Sequence, residues 1–208
     1  MFYIDFMATS SDSNIPQEVV RLRLCKSLQD CGKQEVEHCL KESKAGAMAI
    51  YDDECCGYTD WAVEFADISK SFIARNPQCK NMVLLPLDNR IISGPGVTQG
   101  GVADCAVLTM TEMTFIEFKT NVVSNTEENI NSKTEDGIRQ LWHTYDGVIK
   151  PRCLANGIEI QKCVDVDFFV MFNKELDVTN TMASRQNYQM EFMNDHGLPL
   201  YFENEKDF

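Results

Sequence analysis

The apolar positions of this chain repeat with two different periods, and the changes of period mark its elements. Pro16 stands at a helix start, and Val20, Leu24 and Leu28 follow at four-residue spacing toward Gly32. A second helix is expected over 33–44, with Val36, Cys39 and Leu40 on one side. Residues 51–58 read as an acidic turn. A helix is then predicted over 60–75, where Trp61, Phe65, Ile68 and Phe72 form a stripe and Asp60 is a plausible N-cap. Residues 81–87 form a buried-strand candidate closed by Asp88-Asn89, and 93–101 a Gly-rich loop. Two strands follow, 102–109 and 113–120. The second is apolar on both faces, with Met113 and Phe115 on one and Ile116 and Phe118 on the other, so it should be central.

Beyond a polar, Asn-rich loop over 121–133 comes the clearest helical pattern, 134–149. Its apolar positions are Ile138, Leu141, Trp142, Tyr145, Val148 and Ile149, and Lys150-Pro151 should stop it. A strand over 163–172, a helix over 181–196 capped by Gly197 and a short strand over 200–202 complete the order. Three consecutive strands with short links favour an antiparallel meander. Helices on either side of a later strand favour a sheet covered on two faces. The fold class is therefore α/β (α+β): a central mixed β-sheet flanked by helices, with an N-terminal helical extension.

The chain of 208 residues is long enough for one domain with a real core. No apolar run reaches the ~18–20 residues of a membrane span. Residues 1–10 lack the basic start and long apolar middle of a signal peptide, so a cytoplasmic setting without membrane contact is expected. Nine cysteines, an odd number without a Cys-x-x-Cys pair, fit a reducing compartment. Cys25, Cys39, Cys105 and Cys163 lie in apolar segments and read as small core residues. The spacings argue against zinc or an iron–sulfur cluster. His38, His143 and His196 show no ligand spacing either.

The chemistry is concentrated in the two central strands. Glu117 and Lys119 are two apart and share a face, and Asp104 precedes them on the neighbouring strand. Ionised groups in apolar strands are expensive unless they are paired or bind metal. With a two-residue turn at Met110-Thr111, Asp104 faces Glu117; with the turn at Thr111-Glu112 it faces Lys119. A three-residue turn would put it on the wrong face. Two adjacent carboxylates suit Mg²⁺ or Mn²⁺, which acidify a bound water and contact a phosphate oxygen. A lysine beside them can orient that water and offset charge on the phosphate. The plain alternative is a structural ion pair between Glu117 and Lys119.

Asp104 followed by Glu117-Phe118-Lys119, each within apolar strand residues, resembles the PD-(D/E)xK nuclease superfamily, with Ala103 in place of the proline. The resemblance in element order covers roughly 60–172. It implies a restriction endonuclease-like core over 60–172, a helical extension over 1–50, and a C-terminal helix and short strand over 173–208, all in one domain. It implies Mg²⁺ (or Mn²⁺) held by Asp104, Glu117 and the Phe118 carbonyl, with Lys119 as the catalytic lysine and DNA as the substrate. Glu64 and Gln140 are the accessory candidates. Glu64 would match a helix glutamate found in some members. Gln140 would match the glutamine that RecB-like members pair with a tyrosine four residues on; here the tyrosine, Tyr145, is five away and Gln140 opposes the apolar face.

Net charge argues the other way. At -13 the chain is acidic, whereas nucleic-acid binders usually carry a basic face. The charge is uneven, however: +3 over 69–103 and -4 over 176–208. A second reading follows: a non-catalytic interaction domain, a degenerate nuclease fold or immunity-type protein, that binds a basic protein partner. The sequence leaves the oligomeric state open, a dimer included.

Overall fold

The computed structural model describes residues 15–63 and 67–208. Two short helices, α1 (Gln17–Arg21) and α2 (Leu24–Leu28), open it. Five strands follow: β1 (Lys41–Ser43), β2 (Ala47–Asp53), β3 (Tyr58–Ala62), β4 (Phe72–Arg75) and β5 (Met82–Pro86). After a long connection come the hairpin β6 (Cys105–Leu108) and β7 (Glu112–Lys119), then α3 (Glu127–Trp142). A π-helical segment, His143–Ile149, joins α3 to α4 (Lys150–Ala155). The chain ends with β8 (Asp165–Phe172), α5 (Met182–His196), β9 (Leu200–Tyr201) and β10 (Glu205–Asp207).

The strands form two sheets. The main sheet has the order β1-β5-β6-β7-β8-β9. Strands β5, β6 and β7 are antiparallel neighbours, whereas β8 runs parallel to β7 after the α3–α4 crossover. Strand β7 is central, as its two-sided apolar pattern predicts. Alternate residues of the sheet feed two cores. Val83, Leu85, Phe115, Phe168 and Val170 pack against helical residues such as Leu24, Ile130, Leu141 and Tyr145. Leu84, Val107, Ile116, Phe118 and Met171 pack against Met48, Ile50 and Phe72 of the second sheet, ordered β10-β4-β2-β3. The molecule is a mixed α/β structure in which helices flank one face of a mixed sheet and a smaller sheet covers the other.

Several elements differ from the sequence prediction. Residues 58–62 and 72–75 are strands, and Asp60 caps no helix; it pairs with Lys41 of β1. Trp61 and Phe72 do point inward, but into the core between the sheets. Their helical spacing yields to pairing with β2, a tertiary contact that local propensity does not encode. Residues 33–44 hold one 3₁₀ turn and β1, and 47–53 is β2, so the first 50 residues are not wholly helical. Helix α3 starts within the expected loop, with Glu127 and Glu128 favouring its N-terminus.

Pro151 does not end the helix. In the π segment the Lys150 N–H bonds to Tyr145 O, five residues back, and the widened turn carries the chain past the proline into α4. Of the core cysteines, Cys39 and Cys105 are buried, while Cys25 and Cys163 are half-buried. Among the described residues no helix is long and apolar enough to cross a membrane. Glu64 lies outside the described residues.

Candidate functional site

The site forms at the end of the main sheet where β7 finishes and β6 begins. The β6–β7 register opposes Cys105 to Ile116 and Leu108 to Met113, with Met110-Thr111 as the turn. Asp104 therefore stands opposite Glu117, the first of the two predicted registers. Thr109 secures this register: its N–H donates to Glu112 O at 2.9 Å, and its hydroxyl accepts from the Thr111 and Glu112 amides.

Three charged side chains meet there. The Asp104 N–H donates to Glu117 Oε2 at 3.2 Å, and the Phe118 N–H donates to Asp104 Oδ2 at 2.6 Å. Lys119 Nζ donates to Glu117 Oε1 at 2.7 Å and to Gln140 Oε1 at 2.6 Å. What Phe118 engages with here is its amide. Glu117 is 2% exposed. Burial pushes its carboxyl up to about 7, against the pull of Lys119. Burial, and then the neighbouring Glu117, raise Asp104 well above the ordinary carboxylate range.

The helix layer supplies the other wall. Gly137 lies where α3 comes closest to the sheet: a β-carbon there would stand 3.1 Å from Val170 Cγ1 and 3.4 Å from Glu117 Cγ. One turn on, α3 and the π segment clasp the chain leading into Asp104. Arg139 Nη1 donates to Gly100 O at 2.6 Å, and His143 Nδ1 lies 2.7 Å from Gly101 O. The Ala103 N–H donates to the hydroxyl of buried Thr144 at 2.7 Å, and that hydroxyl donates to Gln140 O at 2.8 Å. Gly101 is required here. Its φ is +82°, and a β-carbon would fall 2.6 Å from Gln140 Cγ. Gln140 is thus brought to the site, contrary to the prediction that it opposes the apolar face. Tyr145 is not: it is buried against Phe115 and Phe168, so the two residues make no pair.

Sequence reasoning missed two further carboxylates. Asp52 shares the β2 face of buried Met48 and Ile50 but is itself exposed at the end of the strand, and Asp88 follows β5. Both line, with Asp104, a recess of about 200 Å³ beneath the β2–β3 hairpin. Burial, more than neighbouring charge, raises both carboxyls. A carboxylate in phase with the apolar Met48 and Ile50 was the available signal, hidden because 51–58 reads as a turn. Among the described residues, no three His, Cys, Asp or Glu side chains are gathered closely enough to hold a metal together.

The segment with net positive charge does not make one patch. Arg75 is paired with Glu205 at 2.7 Å, Arg90 lies 4.0 Å over the Tyr58 ring at the recess, and Lys70 lines a separate groove.

No family model, curated protein or solved structure matches the chain.

Proposed function

We propose that this protein is a metal-dependent nuclease that hydrolyses DNA phosphodiester bonds, with a restriction endonuclease-like core similar to the PD-(D/E)xK enzymes. One observation carries the reading: the antiparallel β5–β6–β7 meander and parallel β8 place Asp104 opposite Glu117, with Lys119 Nζ 2.7 Å from Glu117. The order strand, strand, strand, helix, strand over β5 to β8 agrees with the one the resemblance implies, whereas the helix expected ahead of it over 60–75 is replaced by β3 and β4.

The donor set fits a divalent cation. Asp104 and Glu117 are hard oxygen donors; Lys119 offsets Glu117, while Asp104 shares its recess with Asp52, Glu54 and Asp88. Mg²⁺ is commonly held by one or two carboxylates and keeps its waters, so a site without a third acidic ligand suits it. Asp104 and Glu117 would hold the ion, with the Phe118 carbonyl beside them. When bound, it would supply Lewis-acid polarisation of the phosphate and acidification of a water. The residues do the rest. Lys119 places its positive charge where the phosphate becomes more negative. Gln140 fixes the ammonium's direction, and the Thr144 clasp fixes the backbone that carries Asp104.

The test is incubation of the purified protein with DNA, with and without Mn²⁺, beside the Lys119→Ala variant. Metal-dependent cleavage lost in that variant is the expected result. Cleavage that survives Lys119→Ala, or none with any substrate, refutes the activity. The acidic surface and the net charge of -13 favour the second reading, a non-catalytic domain for a basic partner, and that protein should gain no thermal stability from Mg²⁺ or Mn²⁺.

A further inference from the structure

We infer that the site takes single-stranded nucleic acid, or the single-stranded tail of a duplex, and excludes the interior of a double helix. This rests on the nuclease reading and names its substrate class.

Access to the carboxylates is narrow. Glu117 is 2% exposed, and the Lys119 side chain is 15% exposed. Asp104 opens onto a recess of about 200 Å³ whose far wall is the β2–β3 hairpin, through Asp52, Glu54, Gly57 and Tyr58. This wall is tied down. Arg90, in the β5–β6 connection, lies 4.0 Å over the Tyr58 ring and joins the hairpin to the main sheet's side of the recess. A phosphodiester that reaches Asp104 must therefore enter a slot, while Lys119 meets solvent in a neighbouring groove beside Asn121, Ser124 and Lys133. In a duplex each phosphate lies on the outside of a stiff rod with its base paired. Bringing it into such a slot requires unstacking and unpairing, at a cost of a few kcal/mol. A single strand bends in without that cost.

Charge acts in the same direction. Asp52, Glu54 and Asp88 ring the recess. A duplex carries about one negative charge per 1.7 Å of axis, against about one per 3.4 Å for each strand. The rim therefore repels a duplex more strongly than a single strand.

The experiment compares four end-labelled substrates of one sequence in Mn²⁺ at low salt: single-stranded DNA, single-stranded RNA, a blunt DNA duplex and a duplex with a single-stranded tail. Single strand and tail should be cut at least about tenfold faster than the blunt duplex, with cuts on the tailed substrate confined to the tail. The DNA and RNA arms identify the sugar. Glu54→Gln, at the exposed rim, should narrow the gap by raising duplex cleavage. A blunt duplex cut within about twofold of the single strand overturns this inference and leaves the nuclease reading standing. If none of the four is cut, the nuclease reading falls, and this inference with it.

Discussion

Lys119 Nζ donates to Gln140 Oε1 at 2.6 Å, across the gap between the central strand and the helix that follows it. A neutral acceptor orients the ammonium without cancelling its charge. Glu117, on the other side, is the ionisable partner. Gln140→Ala should therefore lower kcat about tenfold while leaving Mn²⁺ affinity and KM nearly unchanged. Lys119→Ala should cost about 10²–10³-fold in kcat with the metal site intact. Steady-state kinetics beside calorimetric Mn²⁺ titration separates the two effects. Equal activity of Gln140→Ala and the parent would remove the glutamine from the site.

The contact between these residues was only partly legible in the sequence. Strands 102–109 and 113–120 could be read because their apolar runs are buried on both faces and their charges stand out. The helix was legible as a helix, and so was its apolar face: Leu141, Tyr145, Val148 and Ile149 are buried in the core, with Ile138 and Trp142 packed against it. Where the helix comes nearest the strands was not legible. The closest approach is made by small residues, Gly137 and Thr144, and this turns Gln140 toward Lys119. Close packing selects for the absence of side-chain volume, which hydrophobic periodicity does not register. The second sheet was missed for another reason. Strand β2 reads Ala-Met-Ala-Ile-Tyr-Asp-Asp, with little β propensity, and is held by partners on both sides. With it went Asp52.

Thr144 should be a positioning residue. Its hydroxyl is the acceptor for the Ala103 amide and a donor to Gln140 O. Thr144→Val keeps the shape but strands a buried N–H, at a cost of about 1–3 kcal/mol by urea unfolding. Thr144→Ser restores the hydroxyl and should recover most of the activity. If the loss were one of packing alone, serine, which lacks the methyl group, would be no better than valine.

Metal affinity should rank the carboxylates. Asp104→Asn should abolish the Mn²⁺ site in calorimetric titration. Asp88→Asn, which alters the recess without removing either predicted ligand, should weaken binding only about 10–100-fold. Unchanged binding in Asp104→Asn would refute the ligand assignment. Complete loss in Asp88→Asn would move Asp88 into the set of direct ligands.

The buried carboxyl of Glu117 sets the pH dependence of the metal-free protein. Burial raises it to about 7 from an ordinary 4.5. Below that ordinary value both folded and unfolded states hold the proton, and this group's contribution to stability is at its greatest. Between the two values the unfolded chain releases the proton while the folded one keeps it, so stability falls as pH rises through the window and levels off above it. Asp104 is raised too and acts in the same direction. In EDTA the melting temperature should decline from about pH 5 to about pH 8, and Glu117→Gln should flatten that decline. With Mn²⁺ the sense reverses, because the ion competes with the proton for the same oxygens: affinity should strengthen across the same range. A parent protein and Glu117→Gln variant with parallel pH profiles in EDTA would show that Glu117 does not hold its proton in the fold.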